Sequence, residues 1–404
     1  MGEGRELRGR QIVAFSTDWD GDPLSKMHIM RILARDNRIL WVNSIGNRAP
    51  RANAHDLQRV WKKLSSAARP VREVEPNLHV LSPLAVPLYG SEAARAANRE
   101  LLRFQVKRAM AKLGFGQRPI SWSFLPASAP VSGTLGEELV VYHCVDEFSA
   151  FSDTNGRHIA ELEERLLRRA NLCITSAERL RESKAKLNPN TVLVRHGVDF
   201  DHFVKACDPR TPVPEDIAHL PRPVIGFFGL VADWVDLEVF EACARRHPEW
   251  SVAILGKVAP DVDVGGLRAL PNVHLLGRKP YASLPGYCKA FDVALMPFKW
   301  NELTLNANPL KVREYLAAGL PCVSTPLPEV EQVGLCKLAR TPEEAVRQVE
   351  ACLQEGSGPS RERAQRIFHE SWQARVEEIR GHVARTMSAR ATATAATAAA
   401  ARPC

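Results

Sequence analysis

The sequence predicts an α/β protein of two domains, each built on a mainly parallel sheet. Short apolar runs alternate with amphipathic helical stretches along most of the chain, the pattern of strand–helix–strand units. The alternation lapses over Lys205–Pro223, which holds five prolines in nineteen residues and reads as an interdomain linker. A chain of 404 residues is long enough for a core on each side of it. The predicted domains are therefore 1–204 and 224–364, with ligands expected at the strand ends, in a cleft between the halves.

In the first half, Gln11–Ser16 is an apolar strand, Thr17–Leu24 a polar loop, and Ser25–Arg35 a helix with Met27, Met30, Ile32 and Leu33 inward. Arg38–Asn43 is the second strand. Helices are expected over 50–72 and 91–113, with Leu78–Leu81 a strand between them. Pro119–Ser123 and Glu138–Tyr142 are short strands, and His158–Ala170 is a charged helix. Leu172–Ser176, Glu178–Leu187 and Thr191–Arg195 complete this half as strand, helix and strand. In the second half, Pro223–Phe228, Ser251–Leu255, Val273–Leu276 and Val293–Met296 read as strands. Val239–Arg246, Tyr281–Lys289, Glu343–Glu355 and a longer stretch, Ser360–Met387, read as helices. The Ala/Thr-rich tail, 388–404, has the composition of a disordered end.

Bulk properties narrow the class. No apolar run is long enough to cross a bilayer, and the N-terminus lacks the apolar core of a secretory signal. Nine scattered cysteines, none in C-x-x-C spacing, point to a reducing cytoplasm and away from a disulfide framework or structural zinc. The net charge of +8 is concentrated: residues 48–118 hold 14 Lys and Arg against 5 Asp and Glu. Arg59, Trp61, Lys62 and Lys63, then Arg95, Arg99, Arg103, Lys107, Arg108 and Lys112, suit an anionic membrane surface; an ordinary solvated Arg-rich face fits as well. No nucleic-acid motif accompanies the charge, so no nucleic-acid partner is expected.

The densest stretch is Asn306–Thr325, NANPLKVREYLAAGLPCVST. Asn308 suits an N-cap and Pro309 the first helical position. Leu310, Val312, Tyr315 and Leu316 form an apolar face, Gly319 a left-handed stop, and Cys322–Ser324 a buried strand. A helix start of this kind favours an anion. Lys311 adds a charge there, and Glu314 lies one turn on, so the pair would suit the diphosphate and ribose of a nucleotide. A capped helix with a solvated Lys and Glu fits the same pattern.

Other stretches are suggestive. Val224–Trp234 ends a strand with G-x-x-G, and Gly229 would let backbone approach a phosphate. Arg278 and Lys279 follow a later strand and are candidates for the same charge, or simple loop cations. Asp146, in Val140–Phe151 (VVYHCVDEFSAF), ends an apolar strand before two aromatics. Partial desolvation there would make it a general base, although a turn cap is equally compatible. The loop Ser16–Lys26 leaves the first strand's carboxyl end and carries Asp18, Asp20 and Lys26, with His28 just beyond. Asp18 and Asp20 form a D-x-D, but two aspartates in a turn are ordinary turn residues, and no metal is expected. The absence of G-x-G-x-x-G, G-x-x-x-x-G-K-[ST] and G-x-S-x-G argues against a dinucleotide dehydrogenase, a P-loop NTPase and the commonest hydrolase elbow.

The run P-L-K-x-x-E-Y-L-A-A-G-x-P-x-V-S-T, followed by P-L-P-E-V at Pro326–Val330, resembles the donor-binding segment of GT-B glycosyltransferases of the group 1, or family 4-like, kind. The resemblance spans about residues 11–385 and implies two Rossmann-like domains facing a central cleft, with the last helix, about 365–387, crossing back onto the first domain. It implies that Glu314 holds the donor ribose, that Lys311 holds the diphosphate, and that Asn308, Gly229, Arg278 and Lys279 line the donor site. Val140–Phe151 and Arg195–Asp199 (RHGVD) also resemble the xanthan glucuronosyltransferase, where an Asp after a V-Y strand is the base. That carries over to Asp146, with Asp18, Lys26, His28 and His196 on the acceptor side. Asn306 departs from the family: many retaining members carry a glutamate there, so inversion and retention both stay open. The implied substrates are a UDP- or GDP-sugar and a saccharide or lipid-linked acceptor of cell-surface polysaccharide, with no cofactor, on the cytoplasmic side of the membrane. A nucleotide-sugar epimerase on the same fold and a non-catalytic sugar-nucleotide binder are the alternatives.

Overall fold

A computed structural model describes residues 7–44, 71–84, 92–116, 118–151 and 155–400. The chain forms two compact units, Met1–Arg195 with Val376–Cys404, and His196–Arg375.

The first unit is organised on an eight-stranded sheet in the order β3-β4-β2-β1-β5-β6-β7-β8. In chain order these are Gln11–Phe15, Arg38–Val42, Arg72–Glu75, Leu78–Leu81, Ile120–Ser123, Leu139–Cys144, Leu172–Thr175 and Thr191–Leu193. All neighbours are parallel except β3 and β4. The expected helix over 50–72 lies outside the described residues up to 70. Arg72 itself belongs to β3, which turns into β4 at Asn77, in the left-handed region at φ 64°. Asparagine tolerates that conformation better than most residues. The central strand β6 is buried along its whole length, as a strand covered on both faces must be. Helix Trp372–Ala400 supplies Val376 onward to this unit, and its Arg380 binds the Leu7 carbonyl at 2.5 Å and Asp36 at 2.7 Å.

The second unit has a six-stranded, wholly parallel sheet in the order β11-β10-β9-β12-β13-β14. Its strands are Val224–Phe228, Ser251–Leu255, Val273–Gly277, Val293–Met296, Cys322–Ser324 and Lys337–Leu338. One apolar core lies on each face. Phe228, Met296, Val312 and Tyr315 belong to one, and Ile225, Phe240, Leu295 and Val349 to the other.

Three expectations need correction. Residues 205–223 are not a linker: Ala206, Ile217 and Leu220 are buried in the same core as Tyr287 and Tyr315. The proline-rich backbone is anchored by Lys289, whose Nζ donates to the carbonyls of Asp208, Pro209 and Thr211 at 3.0, 2.7 and 2.7 Å. The long helix expected from Ser360 to Met387 is broken into Arg361–Gln365, a 3₁₀ turn at Phe368–Glu370, and Trp372–Ala400. The tail does not fray from Ser388; alanine's helix propensity carries the last helix to Ala400.

Candidate active site

Helix Leu310–Ala317 follows β12 and packs Val312, Tyr315 and Leu316 into the core, as the spacing demands. Gly319 ends it at φ 75°, and a Cβ there would lie 2.2 Å from the Ser360 carbonyl oxygen. At the helix start, Lys311 Nζ is 2.7 Å from Glu314 Oε2. The same ammonium lies 4.8 Å from the centre of the Phe228 ring. Glu314 is nearly buried and Lys311 keeps part of its surface in solvent. The predicted pair is therefore assembled at the carboxyl end of β9, beside Gly229.

The cap differs from expectation. Pro309 occupies the N-cap position and no side chain caps the helix. Asn308 instead presents Oδ1 to Arg313 Nη1 at 2.5 Å. His196, expected on the acceptor side, belongs to the second unit, with Nδ1 2.9 Å from the Asn308 carbonyl. A carbonyl only accepts, so Nδ1 carries the proton. Burial drives this imidazole's pKa down to about 3, against the pull of the Asn308 bond. It is a neutral structural donor.

The glycine loop is tighter than a G-x-x-G implies. Gly226 is required by packing, since a Cβ would lie 2.2 Å from the Phe291 ring. Gly229 donates its N–H to the Leu255 carbonyl at 2.9 Å, so its own amide is spent within the sheet. Gly256, which the sequence analysis passed over, completes this corner: a Cβ there would sit 1.7 Å from the Gly229 carbonyl oxygen.

Lys279 faces inward to Asp216, at 2.5 Å, and Asp216 also accepts from the Tyr287 hydroxyl at 2.8 Å. The ammonium therefore ties the strand-end loop to the 205–223 segment. Arg278 lines a cavity of about 330 Å³ with Gly256, Lys257, Arg268 and Gly277, at the ends of β10 and β11. Asn306, at the position of the missing glutamate, donates Nδ2 to the Glu302 carbonyl at 2.7 Å.

In the first unit, Asp146 lies just past β6, one residue beyond Val145, and is partly buried. Desolvation raises its carboxyl pKa to about 6, opposed by the charge of Lys26. Lys26 is buried in the first turn of helix Ser25–Ala34, and desolvation lowers its pKa to about 8, opposed by Asp146. The structure thus brings together two residues that the sequence placed 120 positions apart. Beside them is a buried ionic cluster not foreseen in the sequence: Lys184 Nζ lies 2.7 Å from Glu147 and 2.8 Å from Glu163, and Tyr142 donates to Glu163 at 2.5 Å. It fixes the strand end from which Asp146 projects. His28 lies on the same helix as Lys26 and is partly buried. Asp18 is exposed, and its D-x-D partner Asp20 pairs with Arg72 at 2.5 Å. Among the described residues, no three His, Cys, Asp or Glu side chains gather as a metal site would require.

Residues 222–355 match the family of glycosyl transferases group 1, a segment that contains Gly229, Arg278, Lys311 and Glu314. A protein of Bacillus subtilis (strain 168), TuaH, named as a teichuronic acid biosynthesis glycosyltransferase, is 27% identical over 232 residues, 54% of this chain and 58% of its own length. The match thus spans little more than half of that relative. Sucrose-phosphate synthase from Thermosynechococcus elongatus superposes with a TM-score of 0.69 at 15% identity, over 94% of this chain and 100% of its own. Anabaena HepE, solved with UDP and glucose, gives 0.57 at 14% identity over 95% and 99% of the two chains. An E. coli trehalose-6-phosphate structure bound with UDP-2-fluoro glucose gives 0.58 at 13%, over 95% and 98%. The fold is GT-B, and the residues that match the group 1 family lie within the second unit.

Proposed function

We propose that this protein is a glycosyltransferase that moves a sugar from a UDP- or GDP-sugar to a saccharide or lipid-linked acceptor in cell-surface polysaccharide assembly. The observation that carries the reading is the Lys311–Glu314 pair, 2.7 Å apart at the start of one helix, within the segment that matches the group 1 family. Glu314 holds the ribose hydroxyls. Lys311 and the positive helix end stabilise the diphosphate as it leaves with the bonding electrons, a charge that grows in the transition state. Asp146 takes the proton of the acceptor hydroxyl, whose oxygen bonds to the anomeric carbon as the bond to phosphate breaks. The TuaH name supports the polysaccharide setting, and the UDP-bound neighbours support the donor class.

The test is a thermal-shift panel of nucleotide-sugars, followed by calorimetry on the best. A donor that binds only to the native state raises the melting temperature with concentration. The expected result is stabilisation by one nucleotide class, with an affinity about tenfold weaker in Lys311→Ala, the 1.4 kcal/mol of a modest charge-assisted contact. No stabilisation by any nucleotide-sugar would end the reading. Turnover of the donor with no acceptor present would replace it with epimerisation.

A further inference from the structure

A second concavity lies in the second unit, away from the Lys311–Glu314 pair. Its volume is about 300 Å³, and it opens at the carboxyl ends of β12, β13 and β14. Val239, Leu295, Val323 and Ala345 form its apolar inner wall and belong to one core of the sheet. The helix Leu310–Ala317 packs Val312, Tyr315 and Leu316 into the other core. The concavity is therefore on the opposite face from that helix, and neither Lys311 nor Glu314 lines it.

The rim carries the chemistry. Lys299, Trp300, Arg340 and Asp236 line it. Trp300 is 56% exposed, a large apolar ring left open to solvent. Lys299 and Arg340 are exposed too, and neither side chain is ion-paired among the described residues. The loop that presents Lys299 and Trp300 is nevertheless held on both sides. The Lys299 amide donates to the Trp234 carbonyl at 2.8 Å, the Thr325 hydroxyl to the Phe298 carbonyl at 2.7 Å, and the Thr304 hydroxyl to the Lys299 carbonyl at 2.5 Å. Asp236 is tied to the same loop by its amide, which donates to the Pro297 carbonyl at 2.8 Å. A rim with a fixed backbone loses little freedom when a ligand binds.

An apolar wall with a few convergent polar groups is the usual form of a small-molecule site. An indole face is electron-rich and attracts the C–H groups on one side of a pyranose ring. A guanidinium matches the two oxygens of a carboxylate, and an ammonium adds charge beside it. Two cations against one carboxylate leave a surplus positive charge, which balances a monoanion. Asp236 gives Oδ1 to the Glu238 amide at 3.2 Å and keeps acceptor capacity for hydroxyls. A phosphate dianion would meet the Asp236 carboxylate and make no use of the indole. We propose that this concavity is a second binding site, for a hexuronate residue of an acidic saccharide. Trp300 stacks on the ring, Lys299 and Arg340 hold the carboxylate, and Asp236 accepts from the hydroxyls. The assignment stands independently of the donor-site reading.

The experiment measures saccharide binding by calorimetry and tryptophan emission in three proteins: wild type, Trp300→Ala, and Lys299→Gln with Arg340→Gln. A melt confirms that each folds. The probes are trigalacturonate and a hyaluronan tetrasaccharide, each beside its methyl ester, which keeps the shape and removes the charge. The expected result is that wild type binds at least one acid, with a blue-shifted emission, and binds its ester about tenfold more weakly or worse. Both variants should lose about tenfold in affinity, and Trp300→Ala should also lose the emission change. Excess UDP should leave the saccharide bound. Binding of neither acid overturns the proposal, as does equal affinity for acid and ester or wild-type affinity in the double variant. Displacement of the saccharide by an equal concentration of inorganic phosphate would reduce the site to a simple anion patch and overturn it too. Displacement by UDP would place the saccharide in the donor site and end the claim of a second one.

Discussion

Asp146 illustrates how a single carboxylate is tuned. Burial raises its pKa to about 6 and the charge of Lys26 opposes that rise, so the protonation of each group depends on the other. A general base works only when ionised. Activity on the free enzyme should therefore fall as pH drops through about 6, and level off above it. Lys26→Met removes the counter-charge, so the acid limb should move to higher pH. Asp146→Asn should reduce transfer by about a hundred- to ten-thousand-fold, with UDP affinity unchanged. The measurement is kcat/KM against pH for the three proteins. Full turnover by Asp146→Asn, or an acid limb that ignores Lys26, would remove the base assignment.

The corner where β9 meets β10 makes a prediction of its own. Gly256 lies at φ 154° with the Gly229 carbonyl where its Cβ would go. Gly256→Ala cannot be absorbed by a flexible side chain, because the obstacle is backbone. It should destabilise by about 3 kcal/mol or more, the range of severe core errors, seen as a lower urea midpoint with an unchanged slope. A wild-type midpoint would show that the corner yields. Nothing in the local sequence singles out Gly256, since its constraint comes from a strand-end neighbour 27 residues away. The same contrast runs through the helix Leu310–Ala317. Its apolar face, its glycine stop and its Lys–Glu pair are local patterns and were legible. Its cap was not, because Glu370, more than fifty residues on, competes for Arg313 and Arg313 for Asn308. Asp146 was readable as a strand-end carboxylate, whereas Glu147, Glu163 and Lys184 look like surface charges until the fold buries them together.

At the scale of the whole molecule, composition misled where it was read as order or disorder. Prolines at 205–223 suggested a linker, yet the segment is core, and alanines near the end suggested disorder, yet they continue a helix. The basic excess of 48–118 has a described counterpart in helix Glu92–Lys112. That helix exposes Arg95, Arg99, Lys107, Arg108 and Lys112, together with Phe104 at 61% exposure. Cations around an exposed aromatic suit an anionic lipid surface, where each basic residue contributes about 1 kcal/mol. No helix among the described residues is long and apolar enough to span a membrane. The protein should therefore float with vesicles containing phosphatidylglycerol and stay behind with purely zwitterionic ones. Raising salt from about 0.1 to 1 M shortens the screening length from about 10 to 3 Å and should release it. Reversing Lys107, Arg108 and Lys112 to Glu should abolish flotation while leaving UDP affinity untouched, because those side chains belong to the first unit and the proposed donor pair, Lys311 and Glu314, to the second. Flotation that survives both salt and charge reversal would refute electrostatic docking through this helix.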